Sequence, residues 1–318
     1  MKNRALVLLS GEGTTLPTAE AKSLFLAYDP DSSFTSLGPR VLLAESNADP
    51  FRIGSRIAFA RRVGRFVEDH NQAAELMKGH RVRFRCFDLG RSGRAPDPEK
   101  YLTGVDSTVD LRNPEYELTL VLGGDEYLAV TAPAVMHQAW AARRPRRRPF
   151  FHPSAIFPKL SRALVNLSRC REGEVFLDPF AGTGSIPIEA HLVGARVVAV
   201  DQAEEMTRGA LSNMDHFGQD WLGVIRADSV RLPLSGVDAI ATDIPYGRAS
   251  STRGRRPEEI LDLILPPLAG VMRPGSLLVL MHPQHVPVKE TDAFSLQEEH
   301  HLHVHKLLTR TISILRRR

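Results

Sequence analysis

The stretch that most constrains this chain is residues 174–189, EVFLDPFAGTGSIPIE. Residues 175–177 are an apolar run short enough for a buried strand. Asp178 ends it, Gly182 and Gly184 follow, and an apolar-periodic segment opens at Ser185. Strand, glycine turn and helix in that order form the opening unit of an open α/β sheet. Bare glycine backbone lets a ligand lie against main-chain N–H groups at a helix N-terminus. Asp178 stands at the carboxyl end of its strand, where such sheets bind their ligands. The dinucleotide fingerprint needs a third glycine, and Pro187 occupies that place. The next strand, 196–200, ends in Asp201, which suits a ribose with both hydroxyls free. The pattern predicts an adenosine-type cofactor that is not a dinucleotide.

The second half repeats the same unit. Strands are expected at 175–177, 197–200, 223–226, 237–242 and 277–281, with helices opening near Ser185, Ala203 and Pro257. Helical crossovers imply a doubly wound, mostly parallel sheet covered on both faces, a Rossmann-like α/β fold. Strands 302–306 and 309–315 are too close for a crossover and should pair as an antiparallel hairpin at the sheet edge. His300, His301, His303 and His305 lie there. Alternation puts the last three on one face, and with no Cys or Asp nearby an exposed face is expected rather than a metal site.

The first half reads as α+β. Strands are expected at 5–9, 41–44, 81–87, 116–121 and 127–130, and a helix from Pro17 to Tyr28. Ile53, Ile57, Ala60, Val63, Phe66 and Val67 follow helical spacing, with Arg52, Arg56, Arg61, Arg62 and Arg65 between them, so a helix with an arginine face is expected over 53–67. Arg81, Arg83 and Arg85 alternate with other residues and would share one face of a strand. No nucleophile, metal spacing or carboxylate pair occurs in this half, which reads as a binding module. The expected organisation is an N-terminal region over 1–140, a basic Pro/Arg linker over 141–157 and a catalytic domain over 158–318. Pro145, Pro149, Pro153 and Pro158 would make the linker extended and semi-rigid.

Net charge is +4, and the excess lies after residue 140. Arg143, Arg144, Arg146, Arg147 and Arg148 form one cluster, and Arg316, Arg317 and Arg318 another. Arginine runs beside a catalytic-looking domain attract phosphate backbones, which makes the first five candidate RNA-binding residues. The 2 cysteines, Cys86 and Cys170, offer neither a disulfide framework nor a zinc pair. No apolar run approaches membrane-spanning length, so a cytoplasmic protein without membrane or metal is expected.

The fourth strand of the second half runs into Asp243-Ile244-Pro245-Tyr246-Gly247. Asp228 follows the strand before it. Four acids thus arrive at one sheet edge, and they suit different roles: Asp201 a ribose, Asp228 an adenine amine, Asp243 a substrate. An exocyclic amine of a nucleobase is a poor nucleophile because its lone pair is delocalised into the ring. Asp243 can accept one of its N–H groups and the Ile244 carbonyl the other, which favours a pyramidal nitrogen. Tyr246 offers a face for the base to stack on. Proximity to a reactive methyl then suffices without a strong base.

Residues 178–184 followed by Asp243-Ile-Pro-Tyr resemble the S-adenosylmethionine-dependent amino-methyltransferases, with their glycine-rich first motif and Asp/Asn-Pro-Pro-Tyr fourth motif. More specifically, Arg148-Pro-Phe-Phe-His-Pro and Pro158-Lys-Leu-Ser-Arg-Ala-Leu-Val-Asn-Leu resemble the archaeal tRNA guanine-N2-methyltransferases acting at position 10. The segment from Asp110-Leu-Arg-Asn-Pro to Gly123-Gly124-Asp125 is similar to the end of a THUMP domain, that family's tRNA-binding module, and Leu308-Thr-Arg-Thr-Ile also fits. The resemblance is strongest over 148–250. It implies S-adenosylmethionine as cofactor, with Asp178, Gly182 and Gly184 along its methionine and ribose. Phe180 counts among the cofactor contacts, Asp201 holds the ribose and Asp228 the adenine. Asp243, Pro245 and Tyr246 would form the base site, with Ile244 where many relatives carry a first proline. It also implies tRNA as partner, base flipping and a THUMP-like N-terminal region; the protein is expected to act as a monomer. Two other readings stay open: an amino-methyltransferase of another RNA, DNA or protein amide, and a non-catalytic RNA-binding protein.

Overall fold

A computed structural model describes residues 2–12, 15–90, 93, 96–133, 136–218, 220–245, 256–305 and 308–318. The chain divides into two compact units, one comprising Met1–Glu12 and Leu24–His137, the other Gly13–Ser23 and Gln138–Arg318. The segment before Leu24 belongs to the second unit, where the Glu20 carboxylate accepts from Asn166 Nδ2 at 2.6 Å.

In chain order the first unit contributes β1 (Asn3–Leu9), α1 (Leu16–Tyr28, shared between the units), β2 (Ser33–Gly38), β3 (Val41–Ser46), α2 (Pro50–Arg56), β4 (Ala60–Val67), α3 (His70–Met77), β5 (Arg81–Asp88), α4 (Pro98–Leu102), β6 (Thr108–Val109), β7 (Tyr116–Leu122) and β8 (Glu126–Thr131). Its eight strands form one sheet in the order β2-β3-β1-β4-β8-β7-β5-β6. The expected helix over 53–67 is instead a short α2 and a strand. Asp49 caps α2 by accepting from the Phe51 N–H. β4 then pairs with β1 on one side and β8 on the other. Gly64 decides this: a Cβ there would lie 2.1 Å from the Val130 carbonyl oxygen, so β8 approaches only because the position is glycine. The arginine rows do not form a free cationic face. Arg62 and Arg83 both pair with the fully buried carboxylate of Glu117 on β7, and Arg85 lies 3.8 Å from it.

The second unit contributes α5 (Met136–Ala142), a 3₁₀ turn (Pro145–Arg147), α6 (Pro158–Leu167), β9 (Val175–Asp178), α7 (Ser185–His191), β10 (Arg196–Asp201), α8 (Glu204–Phe217), β11 (Gly223–Arg226), β12 (Val237–Asp243), α9 (Pro257–Val271), β13 (Met272–Pro283), β14 (Phe294–His305) and β15 (Leu308–Arg317). The sheet order is β11-β10-β9-β12-β13-β15-β14. β9 to β13 run parallel, and β14 and β15 close the edge as the expected antiparallel hairpin, which is longer than anticipated. Leu177, Val200, Ile240, Leu268, Leu280 and Leu315 share one apolar core on this sheet. Burial of such side chains contributes roughly 1.5–3 kcal/mol each. Arg316, Arg317 and Arg318 belong to the folded body, donating to the Gly275 carbonyl, the Ala269 carbonyl and the Glu290 carboxylate. His300 is buried between Thr15 and Glu298, whereas His301 and His303 face outward. Among the described residues no helix is long and apolar enough to cross a membrane, and no group of His, Cys, Asp and Glu could hold a metal ion.

The Pro/Arg segment is not an extended linker. It is folded onto the second unit by three side chains. Arg148 is buried and donates to Ser185 Oγ at 2.7 Å and to the Arg143 carbonyl at 3.0 Å. Arg143 pairs with the buried Glu189 of α7 at 2.7 Å, and Arg162 of α6 reaches the same carboxylate at 2.8 Å. Asn213 of α8 accepts from the Phe150 N–H at 2.8 Å and donates to the Phe150 carbonyl at 2.9 Å.

Candidate active site

Parallel strands deliver their carboxyl ends to one edge. Asp178 ends β9, Asp201 ends β10, Asp243 ends β12, and Asp228 follows β11. All four line one cavity of about 570 Å³, within the usual size of a small-molecule site. The segment 152–156, folded back by Arg148 and Asn213, forms another part of its wall.

The glycine turn is held from inside. Gly182 and Gly184 have φ of +51° and +79°, the left-handed region that side chains resist. A Cβ on Gly184 would also stand 3.3 Å from Met214 of α8. The Gly182 N–H, expected to face a ligand, instead donates to Asp201 Oδ2 at 3.0 Å, while Oδ1 accepts from the Ala203 N–H at 2.9 Å. Asn213 Nδ2 donates to the Thr183 carbonyl at 2.9 Å, so one amide ties the turn to Phe150. Asp228 Oδ1 accepts from the Val230 N–H at 3.1 Å.

Asp178 is buried, with Oδ1 accepting from Thr242 Oγ1 at 2.6 Å and from the Phe180 N–H at 3.1 Å. Burial raises its pKa to about 7, against the pull of those two donors. Asp243 is raised to about 6, again by burial, with Arg310 opposing. Burial raises Asp201 as well. Arg310 Nη1 donates to Asp243 Oδ2 at 2.8 Å. Asp243 Oδ1 is enclosed and has no hydrogen-bond partner among the described residues.

The lining fits a ligand rich in donors and poor in negative charge. Asp201 and Asp228 offer acceptors for hydroxyls and an amine, while Phe180, Ala203, Met206 and Val230 offer apolar walls for a ring. A pyrophosphate would meet carboxylates where it needs donors. An adenosine-type sulfonium cofactor therefore suits these residues.

A model of the RMKL-like methyltransferase domain, UPF0020, matches residues 145–312. A tRNA (guanine(10)-N2)-dimethyltransferase of Methanothermobacter thermautotrophicus is 33% identical over 98% of this chain and 99% of its own length. The chain belongs to the tRNA (guanine position 10)-N2-methyltransferase family. A family member of the same description from Methanocaldococcus jannaschii is 29% identical over 79% of this chain and 72% of its own. The crystal structure of TrmN from Thermus thermophilus shares the fold across 99% of this chain and 100% of that one, at 21% identity and a TM-score of 0.50.

Of the residues singled out by sequence, Asp178, Phe180, Gly182, Asp201, Asp228, Asp243 and Pro245 line the cavity together, and Gly184 stands behind it as the first residue before α7. Tyr246 lies outside the described residues. Of the five arginines, Arg143 and Arg148 are turned inward on Glu189 and Ser185, where they hold the fold and are not free for phosphate. Arg144, Arg146 and Arg147 are exposed. Arg310, Thr242 and Asn213 are residues of the site region that no local sequence pattern singles out. Thr242 directly precedes Asp243 in the chain. Arg310 reaches Asp243 only because β15 pairs beside β13.

Proposed function

We propose that this chain transfers methyl groups from S-adenosylmethionine to the exocyclic N2 of a guanine in tRNA, at position 10. The observation that carries the reading is the placement of Asp243 on the wall of a cavity whose other acids suit an adenosine cofactor. The relatives' description as guanine-N2-dimethyltransferases supports the substrate and favours two rounds of transfer. When bound, the cofactor supplies an electrophilic methyl on a sulfonium. In this reading Asp201 holds ribose hydroxyls, Asp228 the adenine amine, and Asp178, Phe180 and Gly182 border the remainder. Asp243, ionised at neutral pH, accepts an N–H of the guanine amine and turns the nitrogen lone pair outward. Ile244 and Pro245 carry the chain past the base. The first unit, THUMP-like by sequence, and the exposed Arg144, Arg146 and Arg147 dock the tRNA. A paired guanine must leave its stack to reach a buried carboxylate. We place the protein in the cytoplasm as a monomer.

Incubation with unmodified tRNA transcript and labelled S-adenosylmethionine, then digestion to nucleosides, tests this. Label in N2-methylguanosine or N2,N2-dimethylguanosine is expected. Asp243→Ala should abolish it while tRNA affinity stays nearly intact; full activity in that variant would refute the assigned role.

A further inference from the structure

Asp243 and Arg310 stand on β12 and β15, with β13 between them. The arginine therefore crosses a strand to make its contact, passing 3.6 Å from the Met281 sulfur. Its backbone is locked opposite Pro283 in the β13–β15 ladder. The ion pair is sheltered, each side chain being 17% exposed. Both residues line the cavity. A carboxylate has two oxygens that exchange roles by rotation about χ2, which is a soft torsion. Here one oxygen is taken by Nη1 and the other is enclosed and unpartnered among the described residues.

We propose that Arg310 is a positioning residue: by holding Oδ2 of Asp243 it fixes the orientation of the carboxylate that accepts the substrate amine. This rests on Asp243 being the amine acceptor. A second effect follows from the same geometry. An enclosed carboxyl favours its neutral form, in which one oxygen carries a proton and becomes a donor. A protonated carboxyl oxygen would repel the N–H groups of an amine. The guanidinium opposes that protonation. Asp178, on β9, carries the cost of its mutual repulsion with Asp243, since the Asp243 charge raises the Asp178 pKa. His152, Asp201, Glu205 and Asp228 also line the cavity, and none of them shifts Asp243. His282 on β13 has its two ring nitrogens on the Pro283 carbonyl and Ser313. Arg310 is thus the cation that keeps the acceptor ionised.

The test compares Arg310→Met, Arg310→Gln and Arg310→Lys with the unaltered enzyme. Steady-state methyl transfer to tRNA is followed from pH 5 to pH 9, with cofactor affinity by calorimetry. For Arg310→Met, kcat at pH 7 should fall on the order of 100-fold. The acid limb of its pH profile should move to higher pH, so part of the loss returns near pH 9. The KM for tRNA and cofactor affinity should change by less than about threefold, because Arg310 does not touch either in this proposal. Arg310→Gln keeps a donor but removes the charge. It should show the shifted limb with a smaller loss at high pH, and it serves if the Met variant is unstable. Arg310→Lys should restore the limb. An unshifted profile and near-normal kcat in both neutral variants, with Asp243→Ala inactive, would overturn the proposal and leave the base site standing. Full activity in Asp243→Ala would remove both.

Discussion

Replacing Asp178 by Asn isolates what it costs to charge an enclosed carboxyl. Asp178 is 1% exposed, and burial raises its pKa from 3.8 to about 7. Its ordered contacts are donors onto Oδ1, from Thr242 and the Phe180 N–H, and an amide oxygen accepts both equally well. The variant therefore keeps the local geometry and cannot ionise. A carboxyl whose folded pKa exceeds its unfolded value binds its proton more tightly in the native state, so it makes stability fall as pH rises. The penalty is absent below the unfolded pKa. It grows through the window between the two values and is constant above the folded one. At about 1.36 kcal/mol per unit, the full window amounts to roughly 4 kcal/mol. Urea unfolding of both proteins at a series of pH values should show Asp178→Asn gaining about 3–4 kcal/mol on the parent between pH 4 and pH 8. Groups common to both proteins cancel in the difference. A difference independent of pH, or one that favours the parent as pH rises, would refute the assignment of a buried, reluctantly charged Asp178.

Gly209→Ala should destabilise the protein despite lying in α8, because a Cβ there would stand 2.0 Å from the Phe150 ring. Overpacking costs about 1–3 kcal/mol and helix propensity returns about 1 kcal/mol, so a net loss of up to about 2 kcal/mol in urea unfolding is expected, with weaker cofactor binding as the 152–156 wall shifts. A gain in stability would show that the segment does not pack there. Replacing Arg144, Arg146 and Arg147 together by Ser should weaken tRNA binding and flatten its salt dependence by roughly 2–3 in the log–log slope, since each lost phosphate contact removes about 0.7–0.9. An unchanged slope in filter binding would place the RNA elsewhere.

The site was legible where chemistry follows the chain and illegible where it crosses the sheet. Asp178, Asp201, Asp228 and Asp243 could be read together because each ends or follows a strand of a parallel array, and the crossover geometry sends all such ends to one edge. Gly184 could be read because a left-handed turn before a helix selects glycine. The Asp243–Arg310 pair spans 67 residues and depends on β15 inserting between β13 and β14, an order that no local pattern encodes. The same limit governs the arginines. A run of five reads as a phosphate-binding surface because composition cannot distinguish a solvated cation from one whose partner lies far along the chain. Arg143 finds Glu189 46 residues later and Arg148 finds Ser185 37 residues later. Glu117 absorbs Arg62 and Arg83 in the same way. The helix expected over 53–67 fails for a related reason. Its apolar spacing fits helix and strand alike, and the choice is made by β8, which needs Gly64 bare in order to pair. In each case the misread residue is a cation or a glycine whose role is set by a distant partner. The residues that the sequence brings together are those placed by the element they terminate.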